Sequence, residues 1–209
     1  SRGLGDVYKR QLSNSIDEAR DGHGDKIIVT KYNDDSIEVE DFGRGCPVDY
    51  NQREKKYNWE LVYCELYAGG KYNNNSGDNY EYSLGLNGLG ACATQYSSEF
   101  MDVEVFRDGY KYDLHFEKGR NVGGLKKEET KQKKTGTKTH WRPDLEVFTD
   151  IKIENEYLED VLKKQAVVNP NITFILRIQR ENNSFEEKTF YYENGIADYV
   201  AEIAGEKPL

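Results

Sequence analysis

Two runs of alternating apolar and polar residues, 26–32 and 36–41, lie on either side of the turn Asn33-Asp34-Asp35. Period-two alternation marks strands that bury one face, so this chain must contain a sheet that lays an apolar face against another layer. The same reading predicts a hairpin from 100–107 and 110–117 around Asp108-Gly109, a strand at 135–141, and a last hairpin from 172–178 and 185–192. Helical spacing supplies the second layer. Leu12, Ile16 and Ala19 share one face of 12–20, which Gly22 and Gly24 stop. Tyr157, Leu158, Val161, Leu162, Gln165 and Ala166 share one face of 154–168, and shorter helices are expected at 59–67, 89–96 and 195–204. Strands and helices mix without strict βαβ alternation. The expected class is therefore α+β: a two-layer sandwich of a mixed, mostly antiparallel sheet with helices on one face.

The 209 residues suit one domain or one plus the start of another. With 29 Lys+Arg against 38 Asp+Glu, the net charge of −9 argues against strong duplex-DNA binding by this piece alone, because DNA affinity rests on neutralising phosphates. No stretch approaches the roughly 20 apolar residues of a membrane span. Cys46, Cys64 and Cys92 form no CxxC pair, which disfavours a disulfide scaffold or a cysteine-rich zinc site and points to a reducing, cytoplasmic setting. His23, His115 and His140 show no ligand spacing. The stretch 126–138 holds six Lys and two Glu and reads as a solvated loop between strands.

Residues 1–11 read SRGLGDVYKRQ, with neither helical nor strand periodicity. They resemble the translation of a transposase adapter used in sequencing libraries. The expected division is a non-native leader at 1–11, a main domain at 12–180, and at 181–209 its end and the start of a further domain.

Three features carry chemistry. Asn14, Asp17 and Glu18 lie on the first helix and supply an amide oxygen and two carboxylates. Asp41-Phe42-Gly43-Arg44-Gly45 follows a strand directly: a carboxylate there can accept from the exocyclic amine of a purine, and the glycines bring backbone close to a flat base. Gly85-Leu86-Asn87-Gly88-Leu89-Gly90 opens a helix after a long glycine-punctuated stretch. Bare N–H groups at such a turn suit phosphates, and long loops of this kind are commonly functional lids. Each feature alone also fits a plain turn, linker or exposed helix.

In order, N-x-x-D-E, D-x-G-x-G and G-x-x-G-x-G resemble the ATPase superfamily of gyrase, Hsp90 chaperones, histidine kinases and the mismatch-repair protein MutL, with its Bergerat ATP-binding fold. NSIDEA (14–19), EDFGRGCP (40–47), YAGGKY (67–72), GLNGLG (85–90), TGT (135–137) and W-x-P-D-x-E-x-F (141–148) look like the B subunit of bacterial type IIA topoisomerases, gyrase or topoisomerase IV. The resemblance implies ATP and Mg²⁺ as ligands, with Asn14 on the metal and phosphates and Asp17 and Glu18 on the same pocket helix. Asp41 would take the adenine amine, with Thr137 joining through a water. Gly43, Arg44, Gly45 and Pro47 would shape the base pocket. Gly69, Gly70 and Lys71 would start the lid, and Gly85, Leu86, Asn87, Gly88, Leu89 and Gly90 would wrap the triphosphate.

The family's general base is a Glu one helical turn before the magnesium Asn. That position is Arg10 here, which stays protonated and cannot act as a base, so no catalytic residue carries over. Asn87 stands where many gyrases have His, and Phe42 replaces a second Asp. The implied parent is an isomerase that hydrolyses ATP, closes as a homodimer and passes one DNA duplex through another together with a DNA-cleaving A subunit. This fragment would bind ATP and hydrolyse it poorly. The alternatives are another ATPase of the superfamily or a non-catalytic nucleotide-binding scaffold.

Overall fold

The alternating segments form a single mixed sheet. The computed structural model of the chain describes residues 2–65 and 90–206. In chain order these form α1 (Arg2–Arg20), β1 (Lys26–Lys31), β2 (Ile37–Asp41), β3 (Tyr50–Asn51), β4 (Lys56–Tyr57), α2 (Asn58–Cys64), α3 (Gly90–Tyr96), β5 (Ser98–Arg107), β6 (Tyr110–Glu117), β7 (Arg120–Asn121), β8 (Lys126–Glu129), β9 (Gly136–Pro143), α4 (Asn155–Val168), β10 (Thr173–Gln179), β11 (Phe185–Phe190) and α5 (Ile196–Glu206). The main sheet runs β11-β10-β1-β2-β9-β5-β6-β7, with β8 also on β6; β3 and β4 pair separately. Only β1 and β10 pair in parallel; every other pairing among the described strands is antiparallel. The class is α+β, as the periodicities predict.

One face of the sheet is apolar and covered. Ile27, Val29, Ile37, Val39, Met101, Val103, Val105, Leu114, Phe116, Trp141, Phe174 and Leu176 are all buried. The alternate positions Glu38, Glu40, Asp102, Asp113, His115, Glu117, Lys138 and His140 face away from that core, half-buried or exposed. Helices α1, α3 and α4 contact the sheet. Leu158, Leu162 and Ala166 of α4 join the core at the helical spacing read from the sequence.

Three expectations need correction. Residues 2–11 belong to α1, which runs unbroken into 12–20. Leu4 and Tyr8 precede Leu12 and Ile16 at four-residue steps and are buried with them; Gly3, Gly5 and Asp6 mask that period. The lysine-rich stretch is not all loop, because Lys126–Glu129 form β8, fully exposed and paired to β6 as an outer strand. The helix expected at 59–67 is described as Asn58–Cys64, and its last two predicted residues lie outside the described ones. Among the described residues no helix is long and apolar enough to cross a membrane.

Candidate functional site

Asp41 is the last residue of β2, opposite Ile27 of β1, and is buried. The strand's alternation points its side chain to the covered face, beneath α1. An isolated carboxylate at such a place would be costly, and three donors meet it. Ser15 Oγ of α1 donates to Oδ2 at 2.7 Å. The backbone N–H groups of Gly43 and Thr137 donate to Oδ1 at 3.0 and 3.3 Å. Burial pushes the Asp41 carboxyl up to about 6, the nearby Glu18 charge adds to the rise, and the three hydrogen bonds hold it back.

The loop after β2 is anchored from α1 and β9. Glu18, one turn beyond Asn14, is buried. It accepts from the Arg44 backbone N–H at 3.0 Å and from the guanidinium Nε and Nη2 at 3.2 and 2.5 Å. This fork neutralises Glu18 and fixes the loop. A Cβ on Gly43 would stand 2.8 Å from Glu18 Oε2, so only glycine lets the chain pass between the two acids. The Cys46 N–H donates to Thr137 Oγ1 at 2.8 Å, and Arg107 Nη1 donates to the Gly45 carbonyl at 3.0 Å. Gly45 and Pro47 are buried in the same loop.

The phosphate end of the expected site begins at Asn14. Its amide is buried, and Nδ2 has no hydrogen-bond partner among the described residues. It lies 3.5 Å from where a Cβ of Gly90 would be, and the Arg10 backbone carbonyl lies 3.7 Å from the same point. The first residue of α3 therefore abuts the α1 turn that carries Arg10 and Asn14. Asp17 is half-buried; desolvation raises its carboxyl, with Arg20 opposing and Asp21 and Glu18 adding.

The fold thus brings Asn14, Glu18, Asp41, Gly43, Arg44, Gly45, Thr137 and Gly90 together around the join of α1, β2 and β9. Lys71 and Gly85, Leu86, Asn87, Gly88 and Leu89 lie outside the described residues, as do Gly69 and Gly70. Sequence reasoning missed Ser15 and Gly136. Gly136 has φ +143°, and a Cβ there would lie 2.1 Å from the Asp41 carbonyl oxygen. The Thr-Gly-Thr string contained that signal; Ser15 was hidden because a serine beside Asn14 looks like any helical serine.

No family model matches the chain. It is 37% identical over 198 residues to the topoisomerase 4 B subunit of Escherichia coli strain K12, an alignment covering 94% of this chain and 30% of that protein. Against the DNA gyrase B subunit of Thermotoga maritima it is 37% identical over 211 residues, covering 100% of this chain and 32% of that one. The crystal structure of the 43K ATPase domain of Thermus thermophilus gyrase B, in complex with an aminocoumarin, superposes with a TM-score of 0.80 at 27% identity, over 99% of this chain and 51% of that one. This chain is a homologue of the topoisomerase B subunits. It has the fold of the gyrase B ATPase domain and spans about 30% of the length of the curated relatives it matches. Kinases, chaperones and repair ATPases of the same superfamily are not favoured, because these relatives are B subunits of gyrase and topoisomerase IV.

Proposed function

We propose that this chain binds ATP as the nucleotide-binding part of the B subunit of a type II topoisomerase. The observation that carries this reading is the state of Asp41. A carboxylate offers about two acceptor positions per oxygen. Oδ1 receives two N–H groups and Oδ2 one hydroxyl, so a single acceptor position remains on Oδ2. The adenine exocyclic amine matches it, whereas guanine presents a carbonyl oxygen at that edge and would be repelled. Thr137 steadies the base pocket through Asp41 and Cys46.

At the phosphate end, the Asn14 side chain, whose Nδ2 is unsatisfied, suits an anionic ligand on its N–H₂ side and a hard cation on its oxygen. Among the described residues no group of three or more His, Cys, Asp or Glu could hold a metal. In this reading Mg²⁺ would rest on Asn14, phosphate oxygens and water. When bound it neutralises charge on the transferred phosphoryl group. Lys71 and the glycine-rich stretch 85–90 complete the reading as lid and phosphate wrap, with Asp17 on the same helix as Asn14.

Arg10, exposed beside Gly90, is read as occupying the position at which the family carries its water-activating Glu. This chain accordingly holds nucleotide and turns it over slowly, while the intact parent, a cytoplasmic homodimer working with a DNA-cleaving partner, couples hydrolysis to strand passage. Residues 2–11 fold as the start of α1; residues 1–11 are still read as non-native in origin, with the main domain at 12–180 and its end and the start of a further domain at 181–209.

Isothermal titration with a non-hydrolysable ATP analogue tests the central claim. Asp41→Ala should weaken binding at least about tenfold, the scale of a lost hydrogen bond to a charged group. Equal heats from both proteins, or none from either, would overturn it.

A further inference from the structure

The three donors to Asp41 are not equivalent. Gly43 and Thr137 give backbone N–H groups, which no substitution short of proline removes, and both go to Oδ1. Ser15 alone gives a side-chain donor, and it alone meets Oδ2, the oxygen with an acceptor position to spare. Ser15 is buried on α1, one position after Asn14 and one turn before Glu18. We propose that Ser15 is a positioning residue for Asp41: its hydroxyl fixes the carboxylate's orientation and keeps it an acceptor at neutral pH, so purine recognition depends on a serine acting through the aspartate. This rests on the ATP-binding reading for its consequence, although the Ser15–Asp41 link stands without nucleotide.

The charged and titratable groups around Asp41 leave that role to Ser15. From α1, Glu18 is a like charge, but it is forked by Arg44 of the following loop. Cys46, in the same loop, is buried and its thiol is pushed up to about 12, so it is neutral. Arg107, at the end of β5, is directed to the Gly45 carbonyl. From β1, Ile27 is apolar and fully buried. No cation among the described residues forms an ion pair with Asp41, so neutral donors hold it ionised. Losing one that bonds the anion changes the ionisation constant about tenfold. The Asp41 carboxyl already sits near 6, so that loss carries its titration into the neutral range.

The test is a ¹³C titration of the Asp41 carboxyl, its signal assigned by its absence in Asp41→Asn. Ser15→Ala should raise the midpoint by about one pH unit, while Ser15→Thr, which keeps the hydroxyl, should hold it. A Ser15→Ala midpoint equal to that of the unmodified protein, or a Ser15→Thr midpoint equal to that of Ser15→Ala, overturns the proposal. Analogue binding then reads the consequence. The Ser15→Ala deficit should be about fivefold larger at pH 6 than at pH 8.5. The nucleotide's own titration is common to both proteins and cancels in the ratio. A deficit constant with pH overturns the purine consequence. Asp41→Asn that binds as well as the unmodified protein overturns the ATP reading itself, a result the carboxyl titration keeps separate from the Ser15–Asp41 link.

Discussion

Asp41 shows how function is held against stability. Its carboxyl rises from the ordinary 3.8 to about 6 on folding. The folded state therefore binds more protons than the unfolded one between those values, and stability falls as pH rises through that window. Near pH 8 the ionised group costs about 3 kcal/mol. Asp41→Asn should accordingly raise unfolding stability at pH 8 by about 1–3 kcal/mol, gain much less at pH 4, and lose analogue binding; urea titrations at both pH values measure the difference. Gly136 works in the opposite sense. An alanine there meets the Asp41 carbonyl oxygen head-on, so Gly136→Ala should cost at least about 2 kcal/mol, and a cost under about 0.5 kcal/mol in the same assay would contradict the close approach. On the sheet face opposite the core, His115 bonds Glu117 at 2.9 Å and Asp102 at 2.5 Å, and both raise its pKa. That stabilisation is present below the unfolded histidine value of about 6.5 and is lost as pH rises through the higher folded value. His115→Asn should flatten the melting temperature against pH from 6 to 8.

At the level of elements, α1 carries more than any other described element. Its apolar face lies on the core through Leu4, Tyr8, Leu12 and Ile16, and its functional turn carries Asn14, Ser15 and Glu18. Tyr8 fits imperfectly: its ring packs 5.6 Å from Trp141, yet its buried hydroxyl has no partner among the described residues. Removing an unsatisfied hydroxyl is neutral or favourable, so Tyr8→Phe should stabilise by up to about 1 kcal/mol. Leu12→Ala, by contrast, should cost about 2–5 kcal/mol. Thermal melts of the two variants should move in opposite directions. The helix period of residues 2–11 was hard to read because glycines and Asp6 interrupt an i, i+4 series of only two large residues. The Tyr8–Trp141 contact explains why the series matters.

At the scale of the whole molecule, among the described residues, one sheet face is covered by helices and the other presents a lattice of opposite charges. Lys138 reaches Glu38 and Glu104 at 4.0 and 3.7 Å, and Lys111 reaches Glu104 and Asp113 at 3.7 and 3.5 Å. Neighbouring opposite charges cancel on that face, and the chain as a whole carries a net charge of −9. Affinity for duplex DNA should therefore be weak at physiological salt. A gel-shift titration should show no complex at micromolar protein, and a tight, salt-sensitive complex would overturn this expectation.

The periodicities alone determined the α+β class, the β5–β6 hairpin, the α4 face and the place of Asp41 at a strand end, because those signals are local and repeat every two or 3.6 residues. The ordered motifs were likewise legible, since Asp-x-Gly-x-Gly and its companions demand particular backbone shapes. What tertiary structure decided was the wiring between distant segments: the parallel β1–β10 pair, β8 on β6, the Glu18–Arg44 fork, and Gly136 and Ser15 closing on Asp41. Ser15 and Asp41 stand 26 positions apart, and Lys26 pairs with Thr173 across most of the chain. No local pattern encodes a distance across the fold.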